Sequence, residues 1–138
     1  MIRYQLDCTN IMPPMLRGFF VGWPNPPNTE THLKILEQSA YIVLAVDENT
    51  NQVVGFVNAI SDRVLSAYLP LLEVLPEYQF RGIGRALMEK MLEQLQGLYM
   101  IDLTCDAKLQ KAYKQLSFQP MTAMMIRNFQ NQNGRQPV

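Results

Sequence analysis

The stretch "LLEVLPEYQFRGIGRALM", residues 71–88, sets Gly82 and Gly84 two positions apart between an apolar run and a segment of helical periodicity. The chemistry open to such a junction is anion binding. The first amides of a helix lack internal acceptors and the aligned peptide dipoles favour negative charge, so the N–H groups of Phe80, Arg81, Gly82, Ile83, Gly84 and Arg85 can converge on phosphate oxygens. The two glycines leave room for those oxygens, and Arg81 and Arg85 add charge. The spacing is not a dinucleotide fingerprint, and no Gly-Lys-Ser/Thr is present to make a nucleotide-triphosphate loop. A turn that merely packs a helix closely is the bland alternative.

Other residues could do chemistry if the fold brought them together. Glu73 is an unusual charge in an apolar run, either a site carboxylate acting as base or a charge on a solvated strand face. His32, the only histidine, lies on an early amphipathic helix, where a solvent-facing or packed ring competes with a role in acceptor binding. Asp62 in "ISDR" could bind a cationic acceptor or simply form a turn. Trp23 in "FFVGWPNPP" either walls an acceptor pocket or plugs the loop. Cys105 has no base and orienter beside it and reads as a packed cysteine. With Cys8 it makes too small a set for a disulfide scaffold, and no metal-ligand cluster is present, so no metal is expected.

The elements that must position these groups follow from periodicity and turn residues. At 138 residues the chain reads as a single domain, 1–138, with a loose polar end at 129–138. Hydrophobic residues make up 48% and charged residues 17%, the latter below the usual ~25%. Twelve Lys plus Arg balance twelve Asp plus Glu, which gives no overall steering toward nucleic acid. No apolar run approaches the ~18 residues that suggest a membrane span. With no secretory signal and two reduced cysteines, a cytoplasmic protein is expected, bound to neither nucleic acid nor membrane.

A strand at 2–6 precedes a short helix starting at the prolines of "NIMPPMLRGFF", and "VGWPNPPNTET" must be loop. Asn28 or Thr29 caps the helix "ETHLKILEQS", and "YIVLAV" and "VVGFVNAI" form a hairpin. Residues 67–75 make a strand in which Pro70, lacking an amide donor, requires an edge, a bulge or already broken pairing. An amphipathic helix runs from Gly84 to near Gly97, "YMIDLTCD" is a strand, "AKLQKAYKQL" a helix, and "FQPMTAMMIRNF" contains the final strand. The order predicts an α/β domain with a mixed, mostly antiparallel central sheet flanked by helices. The methionines of "MTAMMI" are open to two readings, a homodimer surface or internal packing of the last strand.

Two motifs carry a family resemblance. "VLPEYQFRGIGRALM" resembles the acyl-coenzyme A motif of the GCN5-related N-acetyltransferase (GNAT) superfamily, in which Gln or Arg, two residues, Gly, one residue and Gly or Ala follow a strand. Gln79, Gly82 and Gly84 match, with Val74 and Pro76 before them. "DAKLQKAYKQLSF" resembles the later motif through Tyr113, Leu116 and Phe118, while Ser117 replaces the common glycine and Asp106 stands where asparagine is frequent. The resemblance covers residues 41–126 and, more loosely, the earlier helices. It implies the acyl-CoA N-acyltransferase fold and acetyl-CoA as the bound group. Backbone groups of Val74 and Leu75 would meet the pantetheine arm, and the amides of residues 80–85 would hold the pyrophosphate.

The implied reaction is direct attack of a primary amine on the thioester. A backbone amide at Val74 or Leu75 would serve as oxyanion donor, and Tyr113 would give a proton or hydrogen bond to the departing sulfur. The base is open between Glu73, Tyr68 and ordered water. Tyr68 occupies roughly the strand position from which some relatives present a catalytic glutamate. A small-molecule amine is the favoured acceptor, with a protein or peptide amine, or a non-catalytic CoA-binding protein, as alternatives.

Overall fold

The computed structural model describes residues 1–135. The two β-branched runs form the centre of the sheet, β2 (Tyr41–Asp47) and β3 (Gln52–Ser61), an antiparallel hairpin with a register shift between Ala45 and Val46. Both strands are buried along nearly their whole length, which is why they read as continuous apolar runs without alternation. β1 (Ile2–Gln5) adds antiparallel to the outer side of β2.

β3 is long enough to carry two partners in line. Its far end pairs with β4 (Ser66–Tyr68) and its nearer part with β5 (Leu72–Val74), both antiparallel. The single strand expected over 67–75 is thus split at Pro70. The buried Asn58 bridges the split: its amide donates to Leu71 O at 3.2 Å, its Oδ1 accepts from Leu71 N at 3.2 Å, and its Nδ2 donates to Ser39 Oγ at 3.1 Å. β6 (Met100–Asp102) pairs in parallel with β4, and Leu69 N donates to Asp102 O at 3.0 Å. Beyond that bond comes Pro70, which has no amide to offer, and β6 does not pair with β5. The sheet, ordered β1-β2-β3-β4-β6 with β5 on β3, therefore opens between β5 and β6.

Helices cover both faces. α2 (Ile83–Gln94) buries Ile83, Leu87, Met88 and Met91 on the face to which Gly55 and Val74 point. It lies so close that a Cβ on Gly55 would stand 3.0 Å from Leu87 Cδ1. α1 (Thr29–Gln38) and the 3-10 turn Pro13–Leu16 lie against the opposite face, toward which Phe56 and Glu73 point. Asn28 is the cap, its Oδ1 accepting from Thr31 N at 2.8 Å.

His32 belongs to that second layer, and the structure corrects its candidacy for acceptor binding. Its ring is 1% exposed, packed against Phe56, Phe20 and Phe19 at 4.4, 4.9 and 5.3 Å, and neither nitrogen has a hydrogen-bond partner. Burial among the rings lowers its pKa from 6.5 to about 4. A depressed folded pKa means that the unfolded chain takes up a proton first as pH falls. The stability held by the neutral ring is complete above 6.5 and is lost toward 4. Unfolding measured at pH 7.5 and 4.5 should show the wild type losing about 2–3 kcal/mol more than His32→Leu. Equal losses in the two proteins would rule this origin out.

The last third departs most from expectation. The helix expected over 107–116 is a 3-10 turn, Ala107–Leu109, followed by a short α3 (Gln110–Lys114). The chain leaves it through Ser117 at φ +74, the left-handed position that glycine fills without strain. "FQPMTAMMIRNF" forms no strand: residues 119–128 are irregular and exposed. Despite its β propensity, it pairs with no strand among the described residues. Residues 129–135, expected to be loose, hold the 3-10 turn Phe129–Asn131, and Gln132 Oε1 accepts from Asn25 N at 3.0 Å. Residues 136–138 of that expected end lie outside the described residues.

Candidate functional site

The glycine junction leaves β5 through the 3-10 turn Pro76–Tyr78. Tyr78 donates from its hydroxyl to Asp47 Oδ2 at 2.6 Å, tying the turn to the end of β2. That bond is the main reason the Asp47 carboxyl sits below its ordinary range. Phe80 and Gly82 are both left-handed, at φ +63 and +82, on either side of Arg81. Alternation of this kind turns successive amides toward one concave side. The first helical bond of α2 runs from Ala86 N to Gly82 O at 3.1 Å. Among the described residues, the amides of residues 80–85 donate to no protein acceptor. Phe80 is fully exposed, Ile83 is buried under α2, and nothing lies within 4 Å of where a Cβ on Gly82 would stand.

The arginines depart from expectation. Arg81 folds back, its guanidinium 5.0 Å from the Tyr78 ring and donating to Glu77 O at 2.8 Å. Arg85 pairs with Glu89 at 2.7 Å and reaches Gln115 Oε1 at 3.3 Å. The cradle is therefore made of backbone, with its charged side chains engaged locally. The Arg85–Gln115 contact also sets the start of α2 beside the end of α3, so the amide cradle and the helix of Tyr113 flank one opening.

Along β5 the strand's alternation decides between the two candidate oxyanion donors. Leu75 N is spent on Val54 O at 2.9 Å, which turns the Leu75 and Glu73 amides toward β3. Val74 must present its N–H and C=O on the other side, where β6 has parted. Its carbonyl accepts from Gln79 Nε2 at 3.0 Å, fixing the matching glutamine of the motif onto the strand. The Val74 amide remains directed at the opening.

Across the opening Tyr113 is partly buried, edge-on to Phe118 at 5.8 Å. Burial, and secondarily Cys105, raise its pKa above the ordinary 10, so the phenol carries its proton at neutral pH. A cavity of about 320 Å³ adjoins it, lined by Leu103, Cys105, Phe118, Met121 and Met124 among others. Tyr68 stands at its rim, its hydroxyl 2.8 Å from Thr104 Oγ1, which also lines the cavity.

The acceptor-side candidates separate. Glu73 is neither an exposed strand charge nor a free carboxylate. Oε1 accepts from Phe20 N at 2.8 Å and Oε2 from Val21 N at 3.3 Å, so it clamps the loop before α1. The clamp holds Phe20 at φ +64, and Trp23 packs on Phe20 at 4.9 Å on the loop's outer surface. Asp62 is consumed by a turn: its Oδ1 accepts from Val64, Leu65 and Ser66 amides at 2.9, 2.8 and 3.1 Å, which lowers its pKa. His32 lies beneath Phe20 in the core.

These contacts make Glu73→Gln discriminating. A positioning role predicts an acceptor KM raised roughly 10-fold with acetyl-CoA affinity within about twofold, since hydrogen bonds to a charged acceptor are worth about 1.5–3 kcal/mol. A base would instead cost about 10²–10⁴-fold in kcat. Steady-state kinetics in each substrate separate the outcomes.

Sequence reasoning missed three groups that shape the opening: Asn58 at the split, the Tyr78–Asp47 tie and Thr104 at the cavity rim. Asn58 carried a signal, being the lone polar side chain in "VVGFVNAI", the same kind of anomaly that marked Glu73. The other two are ordinary residues in turns and strand ends, legible only as pairs in space.

Comparison with known proteins fits this geometry. The family model described as "Acetyltransferase (GNAT) family" matches residues 10–118. The crystal structure of a candidate acetyltransferase from Deinococcus radiodurans R1 superposes with a TM-score of 0.94 at 43% identity, covering 99% of this chain and 94% of that one. A GNAT family acetyltransferase from Streptococcus pneumoniae TIGR4 gives a TM-score of 0.72 at 28% identity over 93% of this chain and 98% of that one. A histone acetyltransferase of Glycine max is 30% identical over 111 residues, 72% of this chain and 47% of its own length. The chain spans about half the length of the curated relatives it matches. The backbone cradle on α2, the parted strands and the match over residues 10–118 lead to one assignment: the chain belongs to the GNAT acetyltransferase family.

Proposed function

We propose that the protein transfers the acetyl group of acetyl-CoA to a primary amine of a small molecule by direct attack. The observation that carries this reading is the row of amides at residues 80–85 without protein acceptors, set beside the parted strands β5 and β6. Those amides fit a pyrophosphate, which needs many donors and tolerates no side chain at Gly82. The Val74 N–H faces the same opening and is the group to polarise a thioester carbonyl. Tyr113, protonated at neutral pH, is the group to hydrogen-bond or protonate the departing sulfur. In this reading Glu73 fixes the loop bounding the acceptor side and does not itself take the amine proton, which leaves through Tyr68 or water.

A loop pinned at Phe20 and Val21 and seated on an aromatic core supports a bounded pocket over an open peptide groove. The 30% identity to a histone acetyltransferase favours the second reading, a lysine or terminal amine of a protein. Release of free CoA from acetyl-CoA, measured against aliphatic amines, polyamines, amino sugars and a lysine peptide, tests both. Saturable release with a small amine is expected. Turnover of the peptide alone would favour the second reading, and failure to bind acetyl-CoA would sink the enzymatic one.

A further inference from the structure

The sheet parts at a bulge, and one buried side chain holds it. Tyr68 pairs with Ile60 and Leu71 bonds to Asn58, so Leu69 and Pro70 together stand opposite Ala59 alone. Two residues against one reverse the alternation of backbone groups beyond that point. Leu69 N still turns to β6, where it donates to Asp102 O, whereas Leu71, Glu73 and Leu75 turn to β3. Leu72 and Val74 are left facing the gap. The bulge thereby selects Val74 over Leu75 as the amide that points into the opening.

An ordinary antiparallel rung would carry Leu71 N to the backbone carbonyl of Asn58. Here Asn58 N donates to Leu71 O at 3.2 Å, but Leu71 N donates to the side-chain Oδ1 of Asn58, also at 3.2 Å. The side chain stands in for a carbonyl and acts as a spacer at the first rung of β5. On its other side Nδ2 donates to Ser39 Oγ at 3.1 Å, and Ser39 Oγ donates to Ile35 O at 2.7 Å, which anchors the spacer to the end of α1. Asn58 is 2% exposed, so water cannot replace these bonds if they are lost.

We infer that Asn58 is a positioning residue for acetyl transfer: by fixing Leu71 at the bulge it sets where the Val74 N–H stands against the thioester, a role that rests on reading that N–H as the oxyanion donor. β5 is three residues long and pairs only with β3, so Val74 has no strand on its outer side to steady it. Its place is set by the rung at Leu71 before it and the Leu75 bond to Val54 after it. A displacement of about 1 Å at a group that polarises a carbonyl can cost on the order of 10²-fold in rate. The amide cradle is spared, because its turn is tied separately to β2 through Tyr78 and Asp47. Asn58 therefore acts on kcat and not on acetyl-CoA affinity.

Asn58→Leu removes the spacer's polar atoms, and Asn58→Thr, a good strand former, leaves a hydroxyl too short to reach Leu71 and carries the comparison if the first fails to fold. Ser39→Ala cuts only the anchor to α1 and keeps both bonds to Leu71. With acetyl-CoA and a saturating aliphatic amine, both Asn58 variants should lower kcat about 30- to 100-fold, with the acetyl-CoA dissociation constant within about threefold by calorimetry. Ser39→Ala should lower the unfolding midpoint yet keep kcat within about threefold. The Val74 amide resonance of isotope-labelled protein reports the displacement without turnover: it should move in the Asn58 variants and hold in Ser39→Ala. A resonance that holds in the Asn58 variants would overturn the inference and leave the oxyanion assignment standing. A kcat that falls as far in Ser39→Ala would also overturn it, since lost stability would then be the cause. A resonance that moves while kcat is unchanged would overturn the assignment of Val74 as oxyanion donor, and the positioning role with it.

Discussion

Tyr113→Phe should lower kcat by about 100-fold while leaving the acetyl-CoA KM within about threefold. The hydroxyl is the only atom removed. The ring keeps its edge contact with Phe118, so unfolding free energy should change by less than about 1 kcal/mol. Burial and, secondarily, Cys105 raise the phenol's pKa above the ordinary 10, which keeps it a donor at neutral pH. Initial rates in both substrates give the answer. An unchanged kcat would remove Tyr113 from the chemistry, and a parallel rise in KM would make it a packing residue of the binding cleft. Cys105→Ala is the companion measurement: direct attack needs no protein nucleophile, so turnover should persist.

Gly82→Val should abolish tight acetyl-CoA binding, with affinity falling at least about 100-fold by calorimetry. Two physical causes act together. At φ +82 a side chain strains the backbone by about 1–2 kcal/mol, more for a β-branched one, so the amides on either side swing out of alignment. The branched side chain also occupies the open space in front of those amides. Gly84→Ala is the control. Its Cβ would meet Val74 Cγ2 at 3.8 Å, an ordinary contact, and alanine is the better helix former by up to about 1 kcal/mol. That variant should be somewhat more stable and still bind. If both substitutions weakened binding alike, simple crowding rather than amide alignment would be the cause.

The arginines, Glu73 and the terminal arm mark where a reading of residue types stops. Charge near an anion site suggests assistance, yet Arg81 lies on Tyr78 in the preceding turn and Arg85 pairs with Glu89 one helical turn on, because both arginines have local partners within reach. Glu73 was conspicuous as a charge among apolar residues, and the anomaly was meaningful. Its meaning was two amides 52 and 53 positions away, which no local pattern contains. "FQPMTAMMIRNF" has strand composition, but a strand exists only where an edge in register receives it.

The sequence by itself determined the local grammar of this protein. β-branched runs made the central hairpin, Pro70 demanded a break, and Gly82 with the periodic helix after it made the row of amides without protein acceptors at the start of α2. Those features follow from dihedral preference, missing donors and hydrophobic period, all of them properties of neighbouring residues. Only the tertiary structure decided which amide of Val74 and Leu75 faces the opening, that His32 is core, that Glu73 holds a loop, and that the methionine arm is bare. Each of those depends on a partner distant in the chain, and the free energy of a hydrogen bond or a buried ring is set by the partner it meets in space.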